Sequence, residues 1–351
     1  MKQRHSSELG DLVRPGASAY SAPCELDGFA PAQLRRLLRV MLLIRYIEEQ
    51  IAHWVEEGRA RCPCHLGIGQ EAIATGIAQS LRPDDRLFGN HRSHGHYLAA
   101  GGDPYALLAE VLGRATGCSR GMGGSMHLYA VERGFYGSVP IVAGTIPIAV
   151  GAALAAKMDG GDCVAVAFFG DGASEEGVLH ESLNLASSYQ LPVVFVCENN
   201  QYSSHLDIAL RQPSDRVSRY ADAHCVRARV VDGNDVTAVA RAAEELVGAA
   251  RGQPEPVFLE AVTYRWRGHV GPKEDLDVGV RRSMHNLAAW KQRDPVRRLQ
   301  EALLADGVST REEQHLLEAA VRAEVADAAA RALAAPWPPA ENLLGFVYAD
   351  H

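Results

Sequence analysis

The chain has 351 residues, of which 47% are hydrophobic and 22% charged, with a formal net charge of −8. Those proportions describe a globular protein with ample apolar material for a core. The acidic balance argues against a nucleic-acid binder or an anionic-membrane binder, which needs clustered positive charge.

The elements follow in chain order. Residues 1–30 mix Gly, Ser, Pro and charge without a sustained period, so a loose, flexible arm is expected, and no apolar run of a secretory signal is present. Residues 31–59 carry Leu34, Leu37, Leu38, Met41, Leu42, Ile44, Ile47, Ile51 and Trp54 at helical spacing, with Gly58 as a stop. Cys62-Pro-Cys64-His65 resembles half of a zinc site, but no second pair with ligand spacing follows. The seven cysteines are odd in number and irregularly spaced, which points to a reducing, cytoplasmic compartment. Further helices are expected at 69–82 and at 103–115, the latter capped by Asp103. A glycine-rich stretch (117–127) precedes an Ala-rich helix at 146–157. The run CVAVAFFG (163–170) reads as a strand buried on both faces. Gly170-Asp171-Gly172 breaks it, a helix follows at 174–189, and a second buried strand spans 191–200. Strands at 226–231 and 257–262 flank a helix at 236–250, and a charged helix occupies 310–335. Strand–helix–strand repeated in this way predicts an α/β fold, a parallel sheet flanked by helices with right-handed crossovers. The expected organisation is the arm, one α/β domain over 31–300, and a helical tail over 301–351. The apolar runs are too short and interrupted for a transmembrane helix.

The informative unit is Gly170-Asp171-Gly172 followed by Asn199-Asn200. Both groups end strands that run the same way, so they emerge at the carboxyl edge, where open α/β sheets bind ligands. The Asp171 carboxylate and the Asn200 amide offer hard oxygens suited to Mg²⁺ or Ca²⁺. Gly170 and Gly172 let the backbone approach a phosphate, and the N-terminus of the 174–189 helix favours negative charge. A diphosphate–metal site is therefore expected. The dinucleotide fingerprint and the P-loop are both missing.

The stretch GDGASEEGVLHESLNLASSYQLPVVFVCENNQYS resembles the thiamine-diphosphate motif in alpha subunits of the 2-oxo acid dehydrogenase first component. The resemblance extends through CHLGIGQEA (64–72), GNHRSHGHYLA (89–99), GCSRGMGGSMHLY (117–129), YGSVPIVAGTIPIAVG (136–151), VDGND (231–235) and YRWRGHVG (264–271). It implies the diphosphate-binding half of a thiamine-diphosphate fold. Asp171 and Asn200 would hold Mg²⁺ by side chain and Tyr202 by its backbone carbonyl. Gly170, Gly172 and Ala173 would lie on the diphosphate, and Arg92 would pair with it. His91, beside Arg92, stands where the family usually has Tyr. Pro140 and Val142 would meet the aminopyrimidine through backbone groups. His269 matches a catalytic-loop histidine that also borders the cofactor, His65 a second active-site histidine, and His94 a third candidate. The glutamate that activates the cofactor would come from a beta subunit, which implies an α₂β₂ assembly. A lipoyl acyltransferase is a further implied partner and a small 2-oxo acid the substrate. A two-subunit enzyme that forms acyloins or transfers a ketol is the alternative, because Val270 replaces the serine usual after the loop histidine. Helix 31–57 and the 117–127 segment are expected to pack against other subunits.

Overall fold

The apolar runs expected as buried strands form the centre of a parallel sheet in the computed structural model, which describes residues 7–277 and 279–345. Residues 1–6 of the expected arm and 346–351 of the expected tail lie outside the described residues. Helices α1 (Pro31–Glu56) and α2 (Glu71–Ala78) precede strand β1 (Arg86–Gly89), then helices α3 (His94–Ala99) and α4 (Pro104–Val111). Strand β2 (Phe135–Ser138), helix α5 (Thr145–Met158), strand β3 (Ala165–Gly170), helix α6 (Gly177–Tyr189) and strand β4 (Val193–Asn199) follow. A small hairpin of β5 (Tyr202–Ser203) and β6 (Leu206–Asp207) leads into α7 (Ile208–Arg211) and α8 (Arg219–Ala223). Next come β7 (Arg227–Asp232), α9 (Val236–Gly252), β8 (Val257–Val262) and the antiparallel pair β9 (Leu276–Asp277) and β10 (Val280–Arg281). Helices α10 (Met284–Lys291), α11 (Pro295–Ala305) and α12 (Arg311–Ala334) complete the order.

The sheet order is β2-β1-β3-β4-β8-β7, and each neighbouring pair is parallel. Successive side chains of a strand face opposite sides. Val166, Phe168, Val194, Val196 and Leu259 join the cluster under α1, α2 and α9, while Ala167, Phe169, Phe195 and Phe258 join the one under α5 and α6. No helix is long and apolar enough to cross a membrane among the described residues.

Several expectations are corrected by packing. Residues 7–30, expected as a loose arm, lie against the body: Arg293 donates to the Leu12 carbonyl (2.8 Å) and Arg298 to the Ala22 carbonyl (2.7 Å). These contacts use backbone carbonyls, which leave no periodic trace in the sequence. Helix α1 does not offer its apolar stripe to another subunit. Leu37, Ile47 and Ile51 are fully buried within this chain, each worth roughly 1.5–3 kcal/mol of burial. The 117–127 segment, expected to pack against another subunit, has an internal role as well: buried Glu110 accepts from the backbone N–H of Ser119, Gly121, Gly123 and Gly124 at 2.7–3.0 Å. A Cβ on Gly117 would stand 2.6 Å from the Glu110 Cα, so that segment is glycine-rich for an internal reason. The helix expected from 174 starts at Gly177, because Asp171–Glu175 form a 3₁₀ turn closed by the Ser174 hydroxyl donating to the Asp171 carbonyl (2.7 Å). The tail helix α12 packs on α1 and α4, capped by Thr310 and Glu313, which bond each other's backbone N–H.

Candidate active site

A cleft of about 880 Å³, counting the space at its mouth, opens at the carboxyl edge of the sheet. The loop after β1 brings His91 and Arg92 to it, and the loop after β2 brings Pro140 and Val142. Gly170, Asp171, Gly172 and Ala173 come from the end of β3, and Asn200 and Tyr202 follow β4. His269 lies on the loop after β8, and His65 on the loop before α2. Every residue expected in the site therefore lines this one cleft, except His94. His94 is fully buried elsewhere, with Nδ1 3.1 Å from Glu48 Oε1 and Nε2 2.8 Å from Ser125 Oγ. Both its ring nitrogens are taken by this chain, so it is a packed core histidine.

Two charged side chains, Asp171 and Arg92, line the cleft. Asp171 is fully buried; its Oδ2 accepts from Arg211, while its Oδ1 has no partner among the described residues. A buried carboxylate oxygen left unpaired is costly, and burial raises the Asp171 pKa above the ordinary carboxylate value despite Arg211. Asn200 is oriented from both ends: Nδ2 donates to Gln70 Oε1 (3.2 Å), and Oδ1 accepts from the Tyr202 N–H (3.2 Å). A carboxylate oxygen and an amide oxygen at one edge form a donor set for a hard cation. Gly170 lines the cleft, and a Cβ there would meet no atom within 4 Å, so it would project into the open space. Arg92 lines the same cleft, and among the described residues its guanidinium donates only to the carbonyls of Leu66 and His269. Burial and nearby Arg265 pull its pKa down to about 9, which leaves it charged at neutral pH. No carboxylate pairs with it among the described residues, so the guanidinium fork is available to an anion. The residues present fit a divalent cation bridged to a diphosphate.

Part of the cleft wall is made by three imidazoles. His65 and His269 rings are 4.8 Å apart, His65 and His91 4.7 Å, and His91 and His269 5.3 Å, all edge-on. Burial, then Arg92, pulls all three pKa values down, to about 3 for His65, about 2 for His91 and about 4 for His269. The ligand nitrogens lie within 4.8 Å of one another. Yet the same arginine field that keeps the rings neutral also opposes a dication among them. The wall is a set of neutral hydrogen-bonding groups.

Sequence reasoning missed the residues that hold these groups in place. Gln70 fixes Asn200, Arg211 fixes Asp171, and Asp277 accepts from both Arg265 Nη2 (2.6 Å) and the His269 N–H (2.6 Å). Gly271 N–H donates to the Cys64 carbonyl (2.9 Å), which ties the His269 loop to the strip carrying His65. Gln70 lies inside the CHLGIGQEA stretch, so a signal was present without a role attached.

Residues 38–341 match the dehydrogenase E1 component family. The chain is similar to the pyruvate dehydrogenase E1 component subunit alpha of Rhizobium meliloti, 36% identical over 306 residues that cover 87% of each chain. It is 38% identical to that of Zymomonas mobilis over 313 residues, 89% of this chain and 87% of the relative. The protein of the same name from Porphyra purpurea is 33% identical over 335 residues, 93% of this chain and 96% of the relative. The chain belongs to the dehydrogenase E1 component family, in the line of alpha subunits of thiamine-diphosphate-dependent 2-oxo acid dehydrogenases.

Proposed function

We propose that the chain binds thiamine diphosphate through Mg²⁺ and, with a beta subunit, decarboxylates a small 2-oxo acid and passes the acyl group to a lipoyl acyltransferase. The observation that carries this reading is that Asp171 Oδ1, without a partner, and the Arg92 guanidinium, in no ion pair among the described residues, lie on one cleft. The printed names of the relatives support the dehydrogenase over the acyloin-forming alternative and make pyruvate the first substrate to try.

In this reading Asp171, Asn200 and the Tyr202 carbonyl hold the metal, and Arg92 with the backbone of Gly170, Gly172 and Ala173 holds the diphosphate. Pro140 and Val142 meet the aminopyrimidine through backbone groups. The cofactor, when bound, supplies the acyl-anion chemistry that releases carbon dioxide. The neutral rings of His65, His91 and His269 can each accept and donate a hydrogen bond in the cleft without adding charge to it. His269 is held for such a role by its own backbone, through Asp277. The half-open cleft and the exposed Ile141 (70%) and Val142 (49%) at its rim support closure by a second subunit. An α₂β₂ assembly meets that need. Seven free cysteines support a reducing, cytoplasmic setting.

The test is coexpression with a beta-type subunit followed by a screen of 2-oxo acids for carbon dioxide release. The expected result is turnover by the copurified pair and none by the chain alone. Robust turnover by the chain alone would overturn the subunit reading.

A further inference from the structure

We propose that Arg211 is a positioning residue for the metal site, a fork that aims one oxygen of Asp171 into the cleft. The inference rests on the Mg²⁺ reading above. Asp171 presents two oxygens with opposite surroundings. Oδ2 accepts from Arg211 Nη2, and Oδ1, equally buried, has no partner. Asp171 lines the cleft and Arg211 does not, so the guanidinium holds the carboxylate from behind and leaves the forward oxygen free.

The fork is itself over-determined. Its side chain is 7% exposed and each of its three nitrogens donates: Nε to the Leu206 carbonyl (3.1 Å), Nη1 to Glu175 and Nη2 to Asp171. Asp171 and Glu175 are the first and last residues of the 3₁₀ turn after β3, so one guanidinium staples both ends of that turn. Gln212 reinforces it by donating to Ser174 Oγ and Glu175 Oε1, both at 3.0 Å. The one-turn helix α7 presents Arg211, and Asp207 caps that helix by accepting from the Ala209 N–H (2.9 Å).

Two consequences follow from the geometry. First, Glu175 shares the Arg211 charge, so the arginine beside the site is part of a neutral pair rather than a free cation repelling a metal. Second, among the described residues Arg211 supplies the one side-chain hydrogen bond to the Asp171 carboxylate, so without it no other side chain sets the carboxylate's orientation by hydrogen bonding. A ligand held in one orientation binds a cation better than one that must be ordered on binding. A lysine cannot replace the fork, since a point charge on a flexible stem does not reach three acceptors in one plane.

The experiment is calorimetric titration of thiamine diphosphate into the full chain, copurified with its beta subunit, over a series of Mg²⁺ concentrations. The proteins are wild type, Arg211→Gln, Arg211→Lys and Asp171→Asn. Arg211→Gln is expected to raise the half-saturating Mg²⁺ concentration at least about tenfold, equivalent to about 1.4 kcal/mol, with cofactor affinity recovering at saturating Mg²⁺. Arg211→Lys is expected to raise it by a smaller factor, and it decides the matter if the glutamine variant does not fold. An unchanged or lowered Mg²⁺ requirement in either folded variant overturns the proposal. So does a loss of affinity that excess Mg²⁺ cannot restore, the signature of a merely structural role. Asp171→Asn separates the two claims. If it alone abolishes Mg²⁺-dependent binding, the metal reading stands and the Arg211 role falls; if it leaves binding intact, the metal reading itself has failed.

Discussion

Replacing His91 by tyrosine is expected to make the fold less sensitive to acid. An unfolded histidine titrates near 6.5, whereas burial and then Arg92 pull the folded His91 down to about 2. Between those values the unfolded chain binds a proton that the native chain does not, so stability falls as pH falls. Each pH unit of that window costs about 1.4 kcal/mol, so acidification to pH 5.0 costs roughly 2 kcal/mol through His91 alone. Tyrosine does not titrate in this range, and His91→Tyr removes that loss. His65 and His269 are depressed by burial and then by Arg92, which the substitution leaves in place, so their contributions are common to both proteins. Buried carboxylates with raised pKa, such as Asp171 and Glu71, act in the opposite direction. They are present in both proteins and cancel in the difference. The assay is urea unfolding of the cofactor-free protein, followed by circular dichroism at pH 7.5 and pH 5.0. Wild type should lose about 2 kcal/mol more than the variant between the two conditions. Equal losses, or a larger loss in the variant, would refute the claim that the imidazole wall is neutral.

Three further outcomes follow from the site. Gly170→Val should leave the melting temperature of the cofactor-free protein unchanged, since its Cβ meets nothing within 4 Å, yet weaken thiamine-diphosphate binding at least about tenfold; calorimetry and thermal scanning check both halves. His94→Ala should destabilise the fold by about 1–3 kcal/mol by stripping a partner from buried Glu48 and Ser125, with cofactor affinity of the folded protein unchanged; a stable variant without activity would restore the catalytic reading of His94. His269→Ala should keep cofactor affinity while lowering turnover of the reconstituted enzyme roughly 10²-fold, the scale of a lost proton-transfer group; full turnover would make the loop histidine idle.

The central strands were legible because a strand covered on both faces is written as an unbroken apolar run, and Val257–Val262 forms where it was expected. Strands β1 and β2 were not, since four residues each carry too little pattern to separate from loop. The Asp171–Asn200 pair was legible for a similar reason: the two residues follow two of those apolar runs, and parallel order alone brings them to one sheet edge. Supporting residues were hidden. Arg211 reaches Asp171 across 40 positions and Gln70 reaches Asn200 across 130, and no local period records such a contact. His94 misled in the other direction. It sits in a histidine-rich stretch near Arg92, but the first turn of α3 carries it away from the cleft and onto Glu48. Helix α1 was correctly read as amphipathic, but periodicity states only that a face is buried. Whether this chain or another covers it depends on tertiary packing, and here this chain does.

The central claim is that the edge between β3 and β4 binds a diphosphate through a divalent cation. The most direct measurement is a titration of wild-type protein, copurified with its beta subunit, with thiamine diphosphate and with thiamine, each in Mg²⁺ and in excess chelator. Thiamine diphosphate should bind saturably in Mg²⁺ and lose that binding on chelation, and thiamine should show no comparable binding in either condition. Undiminished thiamine-diphosphate binding in chelator, or equal binding of thiamine, would contradict it.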